Sequence, residues 1–339
     1  MKKNMKKNMK KNILSILILI ITTNSIFCQK SVNLNKSKNT RVIEAYGFLV
    51  GQEYTLNKIV KDYPHLKADV LIVQMNFNQI FSKSKIGLEN YIKYSSGKED
   101  LSEIDNKIIS AINNVYNEQK FTEEIAIDFI SEVENRAKGN IVSTVLETLL
   151  YFQFIDRPQD EFTTGFTNKF KTKGHPKSKN TDWQIKVPKS WKAEEGERPN
   201  IIQKFTSDYG SGNQSIALMV KELTLPKGTK LTKDEINLFF TEEEMKKMSP
   251  AGSEFISFTK MTIDKNVGGM LEIEQTAERL DIKMKIRLVQ FMFIKDNKWY
   301  FLQCSVGTSK LDSDLTFEMN KYLPLFKLIA NSIVVNDQY

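Results

Sequence analysis

In RLDIKMKIRL, residues 279–288, apolar and polar residues alternate. Leu280, Ile282, Met284, Ile286 and Leu288 fall on one side, Asp281, Lys283, Lys285 and Arg287 on the other. A period of two belongs to a half-buried strand, because successive strand side chains point to opposite faces. The preceding GMLEIEQTAE carries Glu272, Glu274, Thr276 and Glu278 on its polar side. A hairpin turning at Arg279-Leu280 would set Glu274 opposite Lys285 and Glu272 opposite Arg287, with Ile273 meeting Ile286 and Leu271 meeting Leu288. Past Leu288 the alternation stops: VQFMFI is apolar on both faces, so that strand end needs cover from both sides. KDNK then turns the chain into WYFLQCSV. Two helices are available as cover. TKDEINLFFTEEEMKKMSP opens on a Thr232/Glu235 capping box. SDLTFEMNKYLPLFKLIANSIV contains Pro324, which should kink or split it.

The first half has a different period. Ile104, Ile108, Ala111, Ile112, Val115 and Tyr116 recur at helical spacing behind an Asp100/Glu103 capping box. Thr122, followed by two glutamates, starts a second helix that runs through Ile125, Phe129 and Val133 to a Gly139 stop. Two helices separated by Pro64 lie upstream, and another spans Ile141 to Tyr151. Residues 40–155 therefore read as a bundle of about five helices. DRPQDEFTTGFTNKFKTKGHPKSKNTD holds no period and reads as a linker over 156–181, ahead of an α/β domain at 182–339. The linker carries lysines 169, 171, 173, 177 and 179, either as a solvated tether or as a patch for an acidic partner.

MKKNMKKNMKKN followed by the apolar run Ile13–Ile21 has the order of an export signal, and the run is too short to span a bilayer. Cleavage between Cys28 and Gln29 would remove residues 1–28 and leave a short tail at 29–39. Lipidation of Cys28 is the alternative, disfavoured by the bulky Phe27 before it. The whole chain has net charge +8, but residues 1–28 hold six lysines and no acid, so the mature balance is +2. That leaves no footprint for nucleic acid. With Cys28 gone, Cys304 stands alone and no intramolecular disulfide can form.

The second half, about Asp182 to Val335, resembles the PsbP-like superfamily. That superfamily includes a photosystem II extrinsic protein, a Ran-binding nuclear import factor and small exported bacterial proteins. The matching features are WQIKVPKSW with Pro188 and Trp191, a helix near Thr232, the meander from FISFTKMTIDKNVGGMLEIEQ to QFMFIKDNKWYFLQCSV, and the closing YLPLFKLIANSIVV. The resemblance implies a twisted, mostly antiparallel sheet between helices. The expected fold is thus α + α/β, a helical bundle followed by a PsbP-like module, and no functional residue carries over.

The chemistry is mostly exclusion. Two histidines, His65 beside Pro64 and His175 beside Pro176, supply neither a zinc set nor an ordered catalytic base. Cys304 lies in an apolar strand as an inert thiol. DKNVGG begins like a calcium loop, but Gly268 and Gln275 replace two of its ligands, so it reads as a β-turn. The Gly-x-Gly of YGSGNQ has no following helix and reads as a hairpin tip. Glu272 and Glu274 face cations, as a solvated charge ladder rather than a hydrolase pair. Trp183, Trp191, Trp299 and Tyr300 are the candidate aromatic groove. The expectation is a non-enzymatic accessory protein, periplasmic or secreted, without cofactor or metal and bound to another envelope protein. The alternatives are a carboxylate- or hydroxyl-based hydrolase and a small-ligand binder on the sheet face.

Overall fold

The computed structural model describes residues 33–96, 101–118, 121–225, 228–279 and 282–339. The Cys28-Gln29 junction and Asp100 lie outside them. The chain divides into two compact units between Gln153 and Phe154.

The first unit is helical: α1 Asn33–Asp62, α2 Lys67–Ser96, α3 Leu101–Glu118, α4 Glu123–Ala137 and α5 Val145–Phe154. Pro64 opens a short 3-10 turn between α1 and α2, where its missing N–H costs nothing. Phe81 of α2 leaves helical geometry at φ −120°, ψ 16°. Thr122 caps α4 by accepting from the Ile125 N–H, and Gly139 leaves the helix at φ 84°. A ladder of hydroxyls ties α1 to α3 and the residues after it. Tyr46 donates to Asp105 at 2.8 Å, Tyr54 to Asn113 at 2.6 Å and Tyr63 to the Phe121 carbonyl at 2.9 Å. The sequence separations of 59, 59 and 58 barely change, so the two segments run in the same direction. Buried Arg136 of α4 donates to Gln52 of α1 at 3.0 Å and lies over the rings of Phe48 and Phe129.

The second unit begins with α6 Pro158–Thr163, β1 Thr167–Lys171, β2 Trp183–Pro188, β3 Lys192–Glu195, β4 Ile201–Thr206 and β5 Gln214–Glu222. It continues with α7 Lys233–Phe239, α8 Glu242–Met248, β6 Glu254–Ile263, β7 Asn266–Arg279, β8 Ile282–Lys295 and β9 Lys298–Thr308, and closes with α9 Thr316–Asn331 and β10 Val334–Val335. A seven-stranded sheet has the order β3-β4-β5-β9-β8-β7-β6, and a smaller one β1-β2-β10. Every pairing is antiparallel. One core joins α9 and β2 to one face of the large sheet through Val289, Phe291, Phe293 and Leu302. A second core on the opposite face gathers Leu288, Met292, Ile294 and Trp299 with Phe240 and Met245. The apolar end of β8 is thus covered from both sides, and the architecture is a helical region followed by an antiparallel sheet between helices.

Four expectations change. Residues 156–181 are not a linker: α6 is anchored by buried Glu161, whose carboxylate accepts from the Ser190 N–H and hydroxyl at 2.8 and 2.6 Å, and β1 pairs with β2. The helix expected after Thr232 is two helices, because Thr241 with its following acids forms a second N-cap, accepting from the Glu244 N–H. Pro324 leaves α9 one continuous helix. In the β7–β8 hairpin, Ile273 lies opposite Leu288 and Glu274 opposite Arg287, two residues away from the expected register.

Candidate interaction surfaces

The four aromatics of the expected groove are not together. Trp299 and Tyr300 are consecutive on β9, so they face opposite sides of the sheet. Tyr300 stacks on Phe293 at 4.6 Å and meets Trp183 of β2 edge-on at 5.6 Å. Trp191 meets Tyr322 of α9 at 6.4 Å in the same core. Trp299 packs in the other core against Phe240 and Phe301, both at 5.5 Å. None of the four is more than 5% exposed, so they are core residues and line no open surface.

The ladder of acids and cations does form, along the diagonals of the hairpin. Lys285 Nζ reaches Glu274 at 2.8 Å, and Arg287 Nε reaches Glu272 at 2.7 Å. Diagonal neighbours on one sheet face are within reach of long side chains, which is why the ion pairs survive a two-residue change of register. Nor is the ladder an open one. It shares the sheet face of α9, and the loop leading into that helix crosses it. Arg287 donates to Thr316 Oγ1 at 2.7 Å and Lys285 to the Ser313 carbonyl at 3.1 Å. Glu274 holds the Lys285 ammonium above its ordinary pKa through their hydrogen bond. Each acid therefore has its own cation.

The remaining polar candidates have local structural partners. Burial pushes the Cys304 thiol well above its ordinary pKa, which disfavours the thiolate. His65 meets Glu123 at 2.9 Å on the surface, and His175 Nδ1 accepts from the Lys177 N–H. Asp264 and Lys265 form the β6–β7 turn with φ 42° and 67°. The Asp264 carboxylate accepts from the Val335 N–H at 2.6 Å and from the Tyr339 hydroxyl at 2.7 Å, tying that turn to the residues after α9. Residues 207–213, around the Gly-x-Gly, connect β4 to β5. Among the described residues, no group of three or more metal-type side chains converges, and no helix is long and apolar enough to cross a membrane.

A surface with an unusual composition lies on α2. Its inner side buries Val70, Val73, Phe77, Phe81 and Leu88. Its outer side exposes Leu71 at 47%, Ile72 at 56%, Met75 at 70% and Ile86 at 61%. Between Asp69 and Lys83 the helix carries no charged residue, so the exposed positions from Asn76 to Ser82 are asparagine, glutamine and serine, and charge returns only at Lys83 and Lys85 before Ile86. A surface helix ordinarily presents charges to water. Loss of charge together with exposed methionine and branched apolar residues is the composition of an interface centre. Hydrophobic period alone conceals this face, because the helix is apolar on both sides. The missing charge in VLIVQMNFNQIFS is the signal that could have found it.

No family model matches the chain, and no curated protein matches it. Solved structures with similarity include cyanobacterial PsbP (CyanoP) from Synechocystis, 15% identical over 50% of this chain and 92% of that one, with a TM-score of 0.31. The Ran-binding protein Mog1p of Saccharomyces cerevisiae is 9% identical over 50% of this chain and 95% of its own, at 0.32. LpqN, involved in cell envelope biogenesis of Mycobacterium tuberculosis, is 12% identical over 52% of this chain and 96% of its own, at 0.30. Each of these similarities covers about half of this chain.

Proposed function

We propose that the protein is a non-enzymatic binding component of the cell envelope that holds a protein partner against the outer face of α2. The observation that carries this reading is the exposed apolar group Leu71, Ile72 and Met75 on a run from Val70 to Ser82 that holds no charge, with exposed Ile86 beyond Lys83 and Lys85. A catalytic reading based on Glu272 and Glu274 has less support, since each carboxylate is held by a cation and a general acid needs a carboxyl free to carry a proton. Export follows from the amino-terminal pattern: residues 1–28 are removed to give a periplasmic or secreted chain, or Cys28 is lipidated to give a tethered one.

A photo-crosslinking amino acid at Met75 tests the interface in cells. A discrete adduct with one protein is expected, and it should disappear when Ile72 is also changed to Glu while the fold persists. Adducts that are diffuse, or that survive I72E, would remove the stripe as the binding face. The intact mass of the purified mature chain tests export: a start at Gln29 supports cleavage, a diacylglyceryl mass on Cys28 supports tethering, and retention of Met1 refutes both.

A further inference from the structure

The lysines at 169, 171, 173, 177 and 179 do not stay together in the fold. Lys173 approaches Asp182 at 3.7 Å, and Lys177 pairs with Glu195 at 2.9 Å. Lys169 and Lys171 instead gain a neighbour that their own stretch of sequence does not show. In the β1–β2 register Lys169 lies directly opposite Lys186, and Lys171 opposite Gln184, so Lys186 is diagonal to Lys171. All three lysines are exposed and share the outer face of the small sheet, while Phe170 and Ile185 point inward. None of the three makes an ion pair among the described residues. Like charges directly opposite one another destabilise a strand pair, so the fold alone gives no reason to place Lys186 there.

β1 is also an edge, with β2 as its single neighbour. Beyond that pairing, residues 168–171 make no backbone hydrogen bond among the described residues. Lysines on an edge strand are a common device against unwanted pairing. That explains Lys169 and Lys171 but not Lys186, which lies on the inner strand. An occupant that satisfied both the open edge and the excess charge would be an extended chain with acids at alternate positions, since strand addition supplies main-chain bonds and alternate side chains supply selectivity.

We infer that β1 is a docking strip for an extended acidic protein segment. The segment adds as a strand to the free edge, its alternate carboxylates beside Lys169 and Lys171, with Lys186 strengthening the positive field. This strip is independent of the outer face of α2, and its test does not involve that face.

The test titrates the full mature chain into a fluorescent peptide of alternating glutamate and threonine, and into a twin with glutamine for glutamate. The glutamate peptide should bind and weaken with salt, and the twin should not. The triple variant K169Q/K171Q/K186Q should lose roughly tenfold in affinity, as expected for a few exposed ion pairs. The bound peptide should also slow amide exchange in residues 168–171. K186Q alone should raise the unfolding midpoint, and a fall would assign that lysine to the fold instead. Binding unchanged in the triple variant would overturn the strip. So would lysine-dependent binding to vesicles of phosphatidylglycerol without binding of the peptide, which would make it a membrane contact.

Discussion

The two units fix their registers with different side chains. In the helical unit, α1 is matched to α3 by phenol groups, Tyr46 on Asp105 and Tyr54 on Asn113, and the nearly constant offset continues past both helices with Tyr63 on the Phe121 carbonyl. Helices satisfy their own backbones, so side chains must supply whatever direction exists between neighbours. In the sheet unit the backbone ladder already joins β7, β8 and β9, so polar side chains are left to pair as ions over part of one face while the rest forms two cores. The difference teaches what each unit adds to its buried apolar core: ion pairs across one sheet face in the sheet unit, and part-buried hydroxyls between helices in the bundle.

The largest test is Phe293→Ala. Phe293 is 1% exposed, stacks on Tyr300 and meets Trp183 edge-on. Its removal should cost about 3–5 kcal/mol in urea unfolding, the range for a buried aromatic truncated to alanine. A loss below about 1 kcal/mol would mean that this core is not what holds the sheet unit.

Arg287→Ala comes next. It leaves Glu272, 8% exposed, without its cation, and should cost about 2–3 kcal/mol, since a charge-assisted hydrogen bond is lost and a nearly buried carboxylate is left behind. Lys285→Ala should cost less, because the Lys285 side chain is more exposed than that of Arg287, 24% against 14%. Equal losses would deny that burial ranks the two rungs.

In the bundle the comparison can be made with pH. Desolvation by burial pushes the Tyr116 phenol up to about 12 from its ordinary 10.0, and Tyr116 and Thr55 hydroxyls lie 2.7 Å apart. Between those two values the unfolded chain has released this proton and the folded chain keeps it. Stability is therefore fully present below pH 10 and falls as pH rises towards 12, by roughly 2 kcal/mol from this group. Tyr116→Phe should flatten that part of the alkaline limb, and an unchanged limb would place the loss elsewhere.

Much of the sheet unit was legible because its period carries the information. The two-faced run VQFMFI sends Val289, Phe291 and Phe293 into one core and Met292 and Ile294 into the other. The Thr232/Glu235 capping box forms with both of its bonds. The hairpin register was not legible, because ion pairing by diagonal contacts tolerates a shift of two. Residues 156–181 looked structureless because their order depends on distant partners, Ser190 for Glu161 and β2 for β1. The separation of Trp299 from Tyr300 followed from strand parity once both were placed on one strand. The pairing of Lys169 with Lys186 joins residues from segments that composition treats separately, and needs the register to be seen.

The smallest expected effect on stability comes from α2, whose two faces are both apolar but differ in exposure. Ile72→Glu with Met75→Glu places charge where 56% and 70% of the residue surface already meets water. Glutamate keeps helix propensity, so the unfolding free energy should move by no more than about 0.5 kcal/mol. Phe77→Ala on the inner side, 3% exposed, should cost about 3 kcal/mol or more. The contrast separates a face kept apolar for the fold from one kept apolar for contact. If the double glutamate variant also unfolds the bundle, the outer stripe belongs to the core of the protein and its assignment as a binding face fails. If stability holds and Ile72→Glu alone abolishes the crosslink from position 75, the same residues that contribute little to folding are the ones that recognise the partner.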